Sequence, residues 1–190
     1  MKTFPRIVGA GCRRPLLHHL KRGGLLAYPT ESCYGIGCLP RHTRALSKLV
    51  HLKKRPQHKG MIVIGTDLAQ LQPLLQPLPA PTAAMLAATW PAAKTFLLPA
   101  HPGLSPLLRG KGRRKLAVRV PAHAGARRLC AMLDSTLVST SCNRAGKRAC
   151  KSEREVRRQF GRDVWIIGGR IGKHKMPSQI IDGESGLRLR

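Results

Sequence analysis

Acidic residues are the scarcest polar class in this 190-residue chain: 8 Asp and Glu stand against 35 Lys and Arg, a formal net charge of +27. Folding needs no such excess, and self-repulsion works against compaction. The charge therefore points to polyanions: nucleic acid, nucleotide phosphates or an anionic membrane surface. Solvated basic faces without a partner are the alternative. So few carboxylates also leave no acidic cluster to hold a metal through protein oxygens. Aromatic residues make up 4%, too few for a broad base-stacking surface. No apolar run approaches the roughly 20 residues of a membrane span. The stretch from Ile7 to Cys12, with Pro5 and Arg6 before it and Arg13 and Arg14 after it, is too short for a signal sequence. The six cysteines (Cys12, Cys33, Cys38, Cys130, Cys142 and Cys150) form no CxxC pair. That argues against a zinc ribbon and a disulfide framework, and fits the reduced thiols of a cytoplasmic protein. Phosphate-loop fingerprints are missing too. Gly110-Lys111-Gly112-Arg113 is a basic loop without the GxxxxGK[ST] spacing, and Gly35-Ile36-Gly37 lacks the third glycine of GxGxxG. These absences disfavour P-loop, Rossmann and two-metal enzymes.

What is present is a regular alternation of short apolar segments. Leu16, Leu17 and Leu20 share a helical face that Gly23-Gly24 stops. Leu25-Leu26-Ala27-Tyr28 reads as a buried strand ended by Pro29. Ala45, Leu46, Leu49, Val50 and Leu52 mark a second helix, whose basic end at Lys53, Lys54 and Arg55 suits the negative pole of the helix dipole. Further strands are expected at 61–64, 95–98, 116–120, 137–139, 164–167 and 179–182, and 186–190 could pair as a last one. Helices are expected at 68–75, 83–90 and 127–133, and from the capping box of Ser152 and Glu155 to Phe160. This pattern predicts one α/β layer structure with a mixed sheet, a single domain over 1–190 with its core from about residue 9.

Three segments at strand ends are rich in hydroxyls, amides and cations: 28–35, 53–60 and 137–143. In open α/β sheets ligands bind where such loops converge. A hydroxyl run after a strand is also what an ordinary turn looks like, so each segment alone says little. Their order says more. YPTE…YG.G at 28–37, LK.RP..KG at 52–60, WP…TF at 90–96, LAVRV at 116–120, LVSTS.N at 137–143 and PS.I.D at 177–182 together resemble the YrdC/TsaC family of threonylcarbamoyl-AMP synthases. The resemblance implies a YrdC-like domain: a twisted mixed β-sheet with flanking helices around a large, positively charged cavity. The chain ends where the family's short members end, so no second domain is expected.

Carried onto matching positions, the resemblance makes Lys53, Arg55, Ser141 and Asn143 the catalytic and ATP contacts, with Lys59 and Arg190 also on the nucleotide side. It assigns Thr30, Arg119, Ser139 and Ser178 to threonine. The implied reaction joins L-threonine, bicarbonate and ATP into threonylcarbamoyl-AMP, for modification of the adenosine beside the anticodon in tRNAs reading codons that begin with A. Mg²⁺ would arrive on the ATP phosphates, with no metal held by protein and no tightly bound cofactor. A TsaD/TsaB/TsaE transferase complex would complete the transfer to tRNA. The residue types suit this chemistry: all three reactants carry negative charge where they meet, and cations with amide and hydroxyl donors offset the repulsion without a protein base. Two departures from the family pattern stand out. WPGP is Trp90-Pro91-Ala92-Ala93 here, and SAN is Ser141-Cys142-Asn143. If the family's glycine serves a positive-φ turn, Ala92 is strained; otherwise the loop is reshaped. The second reading is an RNA-binding module on the same scaffold with a role in ribosome maturation. It rests on the net charge and on the basic stretch from Arg144 to Arg162.

Overall fold

The computed structural model describes residues 12–56 and 58–190. Residues 7–11 of the N-terminal apolar stretch, and the first residues of the expected core, lie outside them. The chain builds a mixed sheet of eight strands in the order β7-β1-β2-β6-β3-β5-β4-β8. Its strands are β1 (Leu25–Pro29), β2 (Tyr34–Gly37), β3 (Ile62–Ile64), β4 (Lys94–Pro99), β5 (Lys115–Arg119), β6 (Leu137–Ser141), β7 (Val164–Ile166) and β8 (Gln179–Asp182). Three pairings are parallel, β1 with β7, β3 with β5 and β4 with β8; the other four are antiparallel.

Apolar residues alternate between the two faces of the strands, so the sheet carries a core on each side. Leu25 and Ala27 of β1 join the larger cluster, with α2 (Thr43–Lys53), α4 (Ala80–Thr89), α5 (Pro106–Arg109) and α7 (Glu153–Phe160) covering it. Leu26 and Tyr28 face the smaller one, under α1 (Arg13–Lys21) and α6 (Ala124–Leu133). The remaining helix, α3 (Leu68–Leu71), runs into a single 3₁₀ turn over Gln72–Leu74, which contains Pro73.

Most expected elements form, with instructive differences. β2 was not foreseen: Tyr34-Gly35-Ile36-Gly37 reads as loop because glycine weakens an isolated strand. Here it lies between β1 and β6, and a Cβ on Gly37 would sit 1.6 Å from the Val138 carbonyl oxygen. Glycine is what lets the two backbones approach. Helix α4 starts at Ala80, not Ala83, because a proline in the first turn lacks only an N–H that the helix does not use. The one-turn helix α5 was also unforeseen. Residues 186–190 do pair: Ile181 bridges Arg188, and Leu189 N–H donates to the Ile180 carbonyl at 2.7 Å. Ala92 is not among the positive-φ residues, so the Trp90–Ala93 loop is reshaped without strain at that position.

One feature of the sheet prepares the site. Thr140 and Ser141 of β6 face Ile36 and Gly35 of β2, whereas Leu137, Val138 and Ser139 face Ile64, Val63 and Ile62 of β3. β6 thus runs two residues beyond the start of its β3 neighbour. The chain ahead of β3 turns aside, with Met61 N–H donating to the Leu108 carbonyl at 2.8 Å. The strands part at that point.

Candidate active site: a cationic recess where the strands part

A cavity of about 390 Å³ opens at the parting. The turn after β1 contributes Thr30, Ser32 and Cys33, and the end of β5 contributes Arg119. Ser139, Thr140, Ser141 and Asn143 come from β6 and its exit, and Arg55 from the segment after α2. Pro177, Ser178 and Arg190 close the far wall, with Arg148, Lys151 and Lys175 beside them. A second cavity of about 510 Å³ adjoins it, sharing Arg55, Ile62 and Arg190. Its apolar lining is Leu97, Ala117, Ile180 and Leu189, and Arg109, Arg113, Arg114 and Lys115 supply its cations. Among the described residues, no Asp or Glu lines either cavity.

The hydroxyl wall is held by its own backbone. Thr30 is 5% exposed and its Oγ1 donates to the Cys33 carbonyl at 2.7 Å, closing the turn that Pro29 begins. Gly35 packs between Thr30 and Ser139: a Cβ there would lie 3.2 Å from Thr30 Cγ2 and 3.1 Å from Ser139 Oγ. Ser178 is buried and shares a 2.9 Å hydrogen bond with Thr95 Oγ1. Its carbonyl accepts from Nε and a terminal nitrogen of Arg190, at 3.2 and 3.0 Å. Ser141 Oγ donates to Asn143 Oδ1 at 2.7 Å, and Asn143 Nδ2 donates to the Lys147 carbonyl at 2.8 Å, so the amide is fixed in the wall.

The cations are placed by different means. Arg55 donates to the carbonyl of Gly60 at 2.7 Å and reaches both cavities. Burial lowers the pKa of Arg55 from its ordinary 12.5; for Arg190 burial and then the neighbouring Arg119 do the same. An arginine stays charged through such shifts. Arg119 is 7% exposed, in place of the solvated strand arginine that its alternation with valines would otherwise suggest. It pairs with Glu31 at 3.3 Å, yet its Nε is buried without a hydrogen-bond partner.

Two expected nucleotide contacts sit elsewhere. Lys53, 3% exposed, lies behind the wall: its ammonium donates to the carbonyls of Ser141 and, at 2.7 Å, Asn143, and it lines neither cavity. Both carbonyls needed a donor, and the last residue of α2 supplies it. Burial lowers its pKa from 10.5 to about 8. Lys59 is exposed, outside both linings, with its carbonyl accepting from Arg55 Nε at 3.3 Å. The other eight residues expected at the site, Thr30, Arg55, Arg119, Ser139, Ser141, Asn143, Ser178 and Arg190, all line the first cavity. Residues that the sequence did not single out for the site include Ile62 on the shared border and Arg109 and Lys115 in the second lining. Gly110-Lys111-Gly112-Arg113, unlike any phosphate loop in spacing, nevertheless sends Arg113 to that lining. No group of three or more His, Cys, Asp or Glu among the described residues is arranged to hold a metal, and no helix among them is long and apolar enough to cross a membrane.

Comparison with known proteins agrees with this geometry. A family model, Sua5/YciO/YrdC, described as telomere recombination, matches residues 18–189. The threonylcarbamoyl-AMP synthase of Neisseria meningitidis serogroup A is 70% identical over 187 residues, covering 98% of this chain and 99% of that one. Sua5 of P. abyssi, solved in complex with L-threonine, superposes with a TM-score of 0.82 at 26% identity; the match takes in 92% of this chain and 52% of that longer one. E. coli YciO shares the fold, with a TM-score of 0.82 at 22% identity over 100% of this chain and 95% of its own. With the family's motifs gathered around one recess and its model spanning nearly the whole sequence, this chain belongs to the Sua5/YciO/YrdC family.

Proposed function

We propose that this protein is a threonylcarbamoyl-AMP synthase, a nucleotidyltransferase that makes threonylcarbamoyl-AMP and diphosphate from L-threonine, bicarbonate and ATP. The observation that carries the reading is a single recess in which hydroxyl-rich and cationic segments from the whole length of the chain meet. Close relatives bearing that activity in their names support it.

In this reading the first cavity takes the amino acid. Arg119 offers its guanidinium to the threonine carboxylate, and Thr30, Ser139 and Ser178 surround the rest. The amine adds to bicarbonate with loss of water, giving N-carboxythreonine. One oxygen of the new carboxylate then attacks the α-phosphorus of ATP, and the bond to diphosphate breaks. No group on the protein needs to exchange a proton with the phosphorus centre. The requirement is charge stabilisation over the five-coordinate phosphorus, which preorganised donors supply best away from bulk water. Arg55 and Arg190, which line both cavities, are the donors placed for this, with Ser141 and Asn143 in the adjoining wall, and the purine lies against the apolar lining of the second cavity. Lys53 acts through the loop it holds, and Lys59 approaches the phosphates only from the exposed edge. Mg²⁺ travels with ATP, bound by phosphate oxygens and water.

The chain works as one YrdC-like unit over 1–190, in the cytoplasm, upstream of TsaD with TsaB and TsaE. tRNA contact is favoured by a specific feature: Lys147, Arg154, Arg158 and Arg162 are exposed, close in sequence to Arg148 and Lys151 of the cavity lining. The same cations were the support for a pure RNA-binding role. Such a role leaves the recess without a purpose, so the enzyme reading stands ahead of it. The test is diphosphate release by purified protein with ATP, Mg²⁺, bicarbonate and labelled threonine. Release that depends on both threonine and bicarbonate is expected; its absence sinks the assignment.

A further inference from the structure

A carboxylate beside an anion-binding recess needs a reason, above all in a chain with only 8 acidic residues. Glu31 is 6% exposed and does not itself line the cavity. Its Oε1 accepts from the Ala122 N–H at 2.8 Å, just beyond the end of β5. Its Oε2 lies 3.3 Å from a terminal nitrogen of Arg119, an ion pair without hydrogen-bond geometry, both side chains being 8% exposed. The carboxylate thus joins the turn after β1 to the exit of β5. It also stands beside one terminal nitrogen of Arg119, a side chain that lines the recess.

A free arginine fork can turn and can spread its five donors over any nearby carbonyl. A fixed opposite charge beside one terminal nitrogen favours one placement of the guanidinium, and with it the direction of the other donors. The same neighbour offsets the cost of placing a guanidinium out of water before a substrate arrives. Glu31 carries the backbone there as well. Its carbonyl accepts from His174 N–H at 3.2 Å, and that of Thr30 accepts from Gly172 N–H at 2.9 Å. The strap leading to Lys175, Pro177 and Ser178 of the cavity wall is therefore tied to the same turn.

We infer that Glu31 is a positioning residue for the amino-acid half of the site, aiming Arg119 at the substrate carboxylate without touching substrate. The inference rests on the proposed synthase reading, in which Arg119 holds L-threonine. Glu31→Gln keeps the size of the side chain and an acceptor for Ala122 N–H but removes the charge on Arg119. In steady-state assays of the full chain it is expected to raise KM for L-threonine about tenfold, with KM for ATP and kcat changed less than about twofold. Glu31→Asp keeps the charge and shortens the reach, and is expected to recover part of that loss. A merely structural role would lower thermal stability, or weaken ATP and threonine alike, and either pattern without a threonine-selective change overturns the inference. If Gln at this position unfolds the protein, the aspartate variant decides by the same split. If the parent protein releases no threonine-dependent diphosphate, the synthase reading has failed; if it does and the variants show no selectivity, only the role of Glu31 has failed.

Discussion

At the scale of the residue, Lys53 and Arg55 make opposite predictions although they sit two positions apart. Arg55 lines both cavities, so under the proposed reading Arg55→Ala should reduce adenylate formation by the equivalent of about 2–3 kcal/mol. It should leave the melting temperature nearly unchanged, which calorimetry beside the diphosphate assay can check. Lys53 is buried against two carbonyls, and Lys53→Ala should lower both activity and stability, the latter by about 1–3 kcal/mol for acceptors left dry. Its titration adds a pH signature. The folded value is about 8 and the ordinary value 10.5. Between them the unfolded chain binds a proton that the folded chain has released, so the stability that Lys53 contributes rises with pH across that window and is flat below it. The gap in urea midpoint between parent and Lys53→Ala should therefore widen from pH 8 to 10; a gap that narrows contradicts the burial. Thr30, Arg119 and Asn143 were legible in the sequence because each sits in a motif whose order along the chain is distinctive. The position of Lys53 was not. A cation ending a helix satisfies the helix dipole in any fold, and nothing local shows that β6 will end beside it with carbonyls unpaired. Glu31 was hidden for a similar reason, since a carboxylate in a turn after a strand usually points to water.

At the scale of the element, the sequence reveals strands that carry β-branched or leucine runs and hides those made by their neighbours. β3 and β5 were expected from Met61–Ile64 and Leu116–Val120, whereas β2 exists because β1 and β6 flank it and Gly37 admits the backbone of β6. Gly37→Ala should accordingly cost about 3 kcal/mol or more, because the atom it would strike is the Val138 carbonyl oxygen, which cannot move without breaking the β2–β6 pairing. Expression as insoluble protein, or a large drop in urea midpoint, is the expected reading. Helix α7 shows the opposite case, where local chemistry sufficed. Ser152 Oγ accepts from Glu155 N–H at 3.3 Å, and Glu155 reaches back to the Lys151 N–H at 2.5 Å, a capping arrangement visible from two letters. Ser152→Ala should cost about 1 kcal/mol, a fall of roughly 2–4 °C in melting temperature, while diphosphate release at 25 °C is retained. The helices α2 and α6 are capped instead by His42 and His123, whose Nδ1 atoms accept from the third residue on; no common sequence rule flags histidine there.

For the molecule as a whole, the net charge is the property that composition announces and that the fold sorts into places. Part of it lines the recess, where Arg55, Arg119, Arg148, Lys151, Lys175 and Arg190 stand with no Asp or Glu among the described residues of the lining. Part lies outside on α7 and the loop before it, and that part predicts the behaviour with RNA. If six or more phosphates are met, tRNA affinity should fall by about a thousandfold or more between 50 and 200 mM salt. Filter binding over that range checks it, and a flat response would remove the exposed cations from the account. The recess also affects the handling of the purified protein. Like charges lining one chamber repel one another, and any small oxyanion that enters reduces that repulsion. Because a solute that binds only the native form raises stability by mass action, the protein should melt at a higher temperature in phosphate or sulfate than in chloride of equal ionic strength. The choice of buffer would then set its shelf life before any substrate is added.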